Sequence, residues 1–306
     1  MAAKYRAYLA LIGANILFGL NYSYSKTIMP EYMSPLALAV LRVSVAAVLF
    51  LAAIAFTHRE RVGKQDVWKL AVASMLGLVA NQFVFLQGLR YTSPVDAAII
   101  TTCIPVLVLL ISALFRKERI TPFRLIGVIV GAAGALLVIL YGGLVHLGKG
   151  QLGGNLLILF SSCCYAGYLV WTKPLTQKYS PLTVMTYMFV VATVTTLPFF
   201  GFSLAQTDWG AIPADIWGAI VFILLGVTFV AFLLVAYGLR KVRPTTVAIY
   251  QYLQPVVAVL FAVLRGQDRL DGVKLLAAGL VFSGVFMVTQ AHRFEKSLLH
   301  RDYREA

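Results

Sequence analysis

Apolar runs of about 20 residues recur along the whole of this 306-residue chain, and they fix the fold class before any motif is considered. A helix of about 20 residues rises ~30 Å, the thickness of the hydrocarbon core of a bilayer. No water is available there to bond backbone amides, so long apolar runs must be helical. A barrel would instead show alternating segments of ~10 residues. The chain is 60% hydrophobic and 12% charged, with a mean hydropathy of +0.84, which excludes an ordinary soluble domain. Ten spans can be placed, at about 7–28, 35–57, 67–89, 93–115, 122–141, 153–173, 181–204, 214–238, 244–264 and 270–291. The first is read as a retained helix rather than a signal peptide, because Asn15, Asn21 and Lys26 follow where a small-residue cleavage site would stand. The expectation is an all-α integral membrane protein of ten transmembrane helices.

The chain also repeats itself. Gly88-Leu89-Arg90 recurs 150 residues later as Gly238-Leu239-Arg240, Pro94 as Pro244, Pro105 as Pro255, Arg119 as Arg269 and Gly134 as Gly284. Earlier parts of the halves match more loosely, Phe18-Gly19 with Ala166-Gly167 and Ser34-Pro35 with Ser180-Pro181. The expected units are 1–146 and 147–292, each of five spans, with a basic tail at 293–306. With both termini inside, nineteen of the 26 lysines and arginines fall in cytoplasmic segments and six outside, while Arg42 lies within a span. That bias follows the positive-inside rule and supports cytoplasmic termini. Five is odd, so the second half enters the membrane from the opposite side. The chain is therefore read as two inverted-topology repeats, an arrangement in which the substrate path lies between the halves.

Several classes are excluded. The net charge of +14 lies in loops between apolar runs, so it does not point to nucleic acid. The tail from Arg293 to Arg304 reads as a charge anchor near anionic lipid. Cys103, Cys163 and Cys164 all fall in apolar runs, against a disulfide framework or zinc site. His58, His146, His292 and His300 all lie in loops or the tail, which disfavours a membrane hydrolase. No GxxxxGK[ST] loop is present for direct ATP drive, and no cofactor or metal site is expected.

Polar residues inside hydrocarbon are costly and should face the bundle interior. Asn15, Gly19, Tyr22 and Lys26 fall within about 60° on a helical wheel and form one stripe. That stripe fits a translocation path. It equally fits interhelical hydrogen bonding, with Lys26 reaching for the interface. Arg42 suits either a substrate carboxylate or a neighbouring helix. Asp96 suits proton coupling, a substrate amine, or a charge in the first turn after Pro94 that favours the helix dipole. Asn81 and Gln82 are polar in span three, and Ser161, Tyr165 and Tyr168 share a face of span six. Tyr250 and Gln254 share a stripe of span nine, with Gln251 beside it. Thr101 aligns with Gln251 and Thr102 with Tyr252, and each pair precedes a mid-span proline, Pro105 or Pro255. Proline frees a carbonyl that something else must satisfy. Matched, proline-interrupted polar segments therefore mark a central cavity, although the same prolines also bend helices for packing. The cavity would be rich in amides, hydroxyls and aromatics, suiting a small zwitterionic or neutral solute. Gly127, Gly131 and Gly134 in span five and Ala277, Gly279 and Gly284 in span ten are small faces for close packing, within one chain or in a homodimer.

These motifs resemble the drug/metabolite transporter superfamily, in particular its ten-span EamA-type permeases. The resemblance is carried by Asn15 to Lys26 around Phe18-Gly19, Pro35 with Leu41-Arg42, Gly88-Leu89-Arg90 to Pro105, Glu118-Arg119 and the glycines of span five. In the second copy it runs from Gly238 through Pro244, Pro255 and Asp268 to Gly284. The second copy departs from the first in having Gly266-Gln267-Asp268 where the first has Arg116-Lys117-Glu118, and no arginine matches Arg42. The resemblance implies transport of amino acids or other small metabolites, export more often than import. The expectation is a secondary transporter of the inner or plasma membrane, a monomer or homodimer, working by alternating access with protons as candidate coupling ions. An uncoupled channel and a membrane enzyme or scaffold are the alternatives.

Overall fold

The computed structural model describes residues 2–57, 60–116 and 150–266, and in addition 125–127, 129–131, 133–134, 136–137, 141, 271–273, 275–280, 282–284 and 286–287. The Glu118-Arg119 and Asp268-Arg269 motifs, the four histidines and the tail lie outside the described residues. Among the described residues there is no strand.

The helices are α1 (Ala2–Ile28), α2 (Pro35–Ala55), α3 (Lys64–Tyr91) and α4 (Pro94–Phe115), then α5 within 125–141. The second half holds α6 (Gln151–Lys178), α7 (Pro181–Phe200), α8 (Ala214–Lys241), α9 (Pro244–Leu264) and α10 within 272–287. By length and apolarity seven of these can cross a membrane, namely α2, α3, α4, α6, α7, α8 and α9. α1 is as long at 27 residues, but its polar stripe lowers its hydropathy. Three helices start on a Ser-Pro pair, for a common reason. Ser34, Ser93 and Ser180 accept from the amides of Ala37, Asp96 and Thr183, and the proline that follows needs no donor in the first turn.

The two halves interlock helix by helix. α1 packs on α8, α2 on α7 and α3 on α6. Each pair runs antiparallel. Along α1 and α8, Gly238 sits against Leu11, Leu234 against Gly13, and Phe222 against Tyr24. Along α3 and α6, Gly88 sits against Gly154, Asn81 bonds the Ser161 carbonyl, and Gly77 lies under Tyr168. Thr193 Oγ1 donates to the Val43 carbonyl at 3.1 Å and Thr186 Oγ1 to that of Phe50 at 3.4 Å, which sets the same sense for α2 and α7. Opposed direction between matching partners is what an inverted repeat produces.

Two lysines repeat the symmetry. Lys26, at the end of α1, donates to the carbonyls of Leu89 (2.8 Å), Arg90 (3.0 Å) and Thr92 (2.8 Å), where α3 ends. Lys173, near the end of α6, donates to those of Leu239 (2.5 Å), Arg240 (3.3 Å) and Val242 (2.8 Å), where α8 ends. A helix C-terminus leaves four carbonyls without partners and carries partial negative charge, so an ammonium satisfies both needs. The antiparallel pairing places the two lysines at opposite ends of the bundle.

α5 and α10 meet glycine to glycine, within the chain. A Cβ on Gly284 would run into the backbone of Gly131 and Gly127, whereas one on Gly279 meets nothing within 4 Å among the described residues. Gly284→Val should therefore force α5 and α10 apart and remove the monodisperse protein peak in gel filtration, while Gly279→Val should be tolerated. Equal yields of the two would refute this packing.

Candidate substrate-binding cavity

Both halves break their fourth helix at the same depth. In α4 the helix stops at Thr101 and resumes at Ile104; in α9 it stops at Tyr250 and resumes at Leu253. The amides of Thr102, Cys103, Gln251 and Tyr252 reach only three residues back, so each break is a tightened turn just before a proline. α3 and α8 carry a second matched irregularity, π-helical stretches at Met75–Phe83 and Phe222–Val230. A π turn inserts one extra residue and is found often at functional sites.

Both helix breaks and the π stretch of α3 border a cavity of about 70 Å³. At ~15 Å³ per water it holds about five waters, so a metabolite-sized solute requires it to widen. Of the residues singled out from the sequence, Tyr22, Arg42, Asn81, Gln82, Thr101, Ser161, Tyr165, Gln251 and Gln254 line it. Phe18, Asn21, Phe85, Ile104, Ser162 and Phe232 line it as well. Asn21 and Ser162 were legible as polar residues in spans. Phe18, three residues before Asn21 and four before Tyr22, extends the α1 stripe by the ordinary helical spacing.

A hydrogen-bonded chain crosses the cavity from α1 to both broken helices. Gln254 Nε2 donates to Asn15 Oδ1 at 2.7 Å, and Asn15 Nδ2 donates to the Leu11 carbonyl at 2.6 Å. The Tyr22 hydroxyl lies 2.7 Å from Thr101 Oγ1 and 3.4 Å from Gln254 Oε1. Asn15 is thus one bond removed from the cavity, behind Gln254. Arg42 is buried, and donates from Nε to Thr228 Oγ1 at 2.9 Å and from a terminal nitrogen to Asn21 Oδ1 at 3.4 Å.

Other candidates lie elsewhere. Tyr168 is fully buried against Gly77 and Tyr165, beside the cavity but not lining it. Thr102 donates to the Ile99 carbonyl and faces, with Pro255, a separate apolar groove between α4, α9 and α10. Tyr250 stacks on Tyr8 with ring centroids 5.7 Å apart, outside the cavity. Lys26 is engaged at the end of α3, as described. Asp96 is buried in the first turn of α4, and its Oδ2 accepts from Gln151 Nε2 at 2.6 Å, joining the starts of α4 and α6. Pro105 and Pro255 stand directly after the breaks they cause.

Two tandem matches to a family model, over residues 5–140 and 152–290, decide the family; the model is described as the EamA-like transporter family. The chain belongs to that family. One matched segment falls on α1 to α5 and the other on α6 to α10, and the protein is an integral membrane transporter. It is 27% identical to Bacillus subtilis (strain 168) "Uncharacterized transporter YyaM" over 94% of this chain and 95% of that one. It is 24% identical to Arabidopsis thaliana "WAT1-related protein At3g53210", over 92% and 82%. A solved crystal structure superposes with a TM-score of 0.66 at 21% identity, covering 93% of this EamA-like chain and 97% of the other, which is likeness of fold.

Proposed function

We propose that this protein is a secondary transporter that exports small organic metabolites, amino acids or similar solutes, across the inner or plasma membrane by alternating access, with both termini cytoplasmic. The observation that carries the reading is the cavity at the meeting of the two halves, bounded by the paired helix breaks before Pro105 and Pro255. Broken helices free backbone groups at membrane depth, and a cavity with its waters or ligand is one place where such groups are satisfied. The cavity's amides, hydroxyls and aromatic rings suit a small solute with an apolar body. The antiparallel pairing of the halves supplies two bodies that rock against each other. Reconstitution in proteoliposomes tests this. Saturable solute uptake with counterflow is expected; flux linear in concentration and without counterflow would mean a channel.

Asp96 is the acid proposed to couple transport to protons, because it joins the two halves through Gln151. Asp96→Asn should abolish pH-gradient-driven accumulation while leaving solute exchange intact. Accumulation that still follows the gradient would place coupling elsewhere.

A further inference from the structure

We propose that Arg42 binds a carboxylate of the transported solute and so makes the cavity select organic acids over their amide and amine counterparts. The inference rests on the reading of this cavity as the transport site. Arg42 is 3% exposed and lines the cavity, and the groups it bonds, Thr228 and Asn21, are both neutral. Among the described residues the ion pairs involve only Asp66, with Lys69 and Lys178, and no acidic residue lines the cavity. A guanidinium at membrane depth without a counter-charge is costly, and such charges mark substrate pathways. Thr228 also holds Arg42 in one orientation. Its hydroxyl donates to the Ile223 carbonyl at 2.8 Å, five residues back within the π stretch, so it can only accept from Arg42.

A second observation points to the same ligand. Gln82 is 3% exposed and lines the cavity, yet neither its amide nitrogen nor its oxygen has a partner among the described residues. A buried amide left unbonded is unfavourable, so its donor is complementary to a ligand acceptor. Arginine matches a carboxylate in two parallel bonds, and the Gln82 amide adds a neutral donor. A doubly charged phosphate would leave one charge without a partner, because Arg42 is the only cation in the lining among the described residues. Phe18, Phe85 and Phe232 provide the walls for an apolar body.

Ligand-induced thermal stabilisation of the purified, full-length protein tests this with probes of similar size: benzoate, benzamide and benzylamine, and the smaller propionate, propionamide and propylamine. The acids should raise the melting temperature by several degrees and the amides and amines should not. Arg42→Lys, which keeps the charge but loses the fork, should weaken acid binding at least tenfold. Arg42→Gln and Gln82→Leu should weaken it further or abolish it, each with an unchanged gel-filtration profile. Amides or amines stabilising as well as acids would overturn the proposal. So would undiminished acid affinity in a folded Arg42→Lys or Arg42→Gln protein, or chloride stabilising as strongly as the acids, which would mark an inorganic-anion site. Binding is read without transport, so the two readings fail separately. Acid binding at Arg42 with no saturable flux would refute transport alone, and saturable flux of amines would refute acid selection alone.

Discussion

Gln254→Ala should lower the transport efficiency, kcat/KM, by roughly ten- to a hundredfold, the equivalent of the ~1–3 kcal/mol that accompanies an orphaned buried polar group. Gln254 is the junction of the cavity's hydrogen-bonded chain. It donates to Asn15 and lies within reach of the Tyr22 hydroxyl, which in turn meets Thr101. Truncation strips Asn15 Oδ1 of that donor and disconnects α1 from α9. Tyr250→Ala is the matched control, since both residues stand on one helical stripe by sequence. Tyr250 instead lies against Tyr8, outside the cavity, and its loss should change transport by less than about twofold. Radiolabelled initial rates in proteoliposomes, normalised to reconstituted protein, make the comparison. Equal defects in the two variants would remove the hydrogen-bonded chain from the site.

Lys173→Met should destabilise the protein by about 3 kcal/mol or more, because three carbonyls at the end of α8 lose a charged donor and hydrogen bonds to charged groups contribute ~1.5–3 kcal/mol each. Lys26→Met should do the same at the end of α3, less strongly because Lys26 is less buried. Both losses should appear as lower melting temperatures in detergent. In vesicles neither variant should change the ratio of rates for two competing solutes, since neither ammonium lines the cavity. A changed ratio in Lys26→Met would return Lys26 to the substrate path.

The sequence made the spans legible because hydrocarbon thickness dictates their length, and the observed helices differ from those boundaries mainly by running a few residues further at polar ends. α6 continues to Lys178 and α8 to Lys241, since helix geometry does not stop where lipid does. The pairing of Thr101 with Gln251 was legible from register alone, and both line the cavity. The partners of Arg42 and Lys26 were not. Thr228 is 186 residues from Arg42, and the carbonyls bonded by Lys26 are 63 to 66 residues away. No local spacing encodes such contacts. The π stretches were hidden as well. A helical wheel assumes 100° per residue throughout, and one extra residue in a turn shifts the face of everything after it. Tyr250 was misplaced relative to Gln254 by a related effect, because the break at Gln251–Tyr252 interrupts the wheel between them.

Lys26 and Lys173 lie 147 residues apart, close to the 148 that separate Gly19 from Gly167, and each clasps the end of the third helix of its own half. A clasp acquired independently in each half would have no reason to fall at the same position. The shared position dates the clasp to a single ancestral unit, before that unit's gene was copied and fused. The π stretches do not keep that register, ending five residues before Gly88 in α3 and eight before Gly238 in α8. Arg42 has no counterpart in the second half, so it marks where the two descendants diverged, one keeping or gaining a charge while the other did without. The scaffold is thus older than the asymmetry of its cavity.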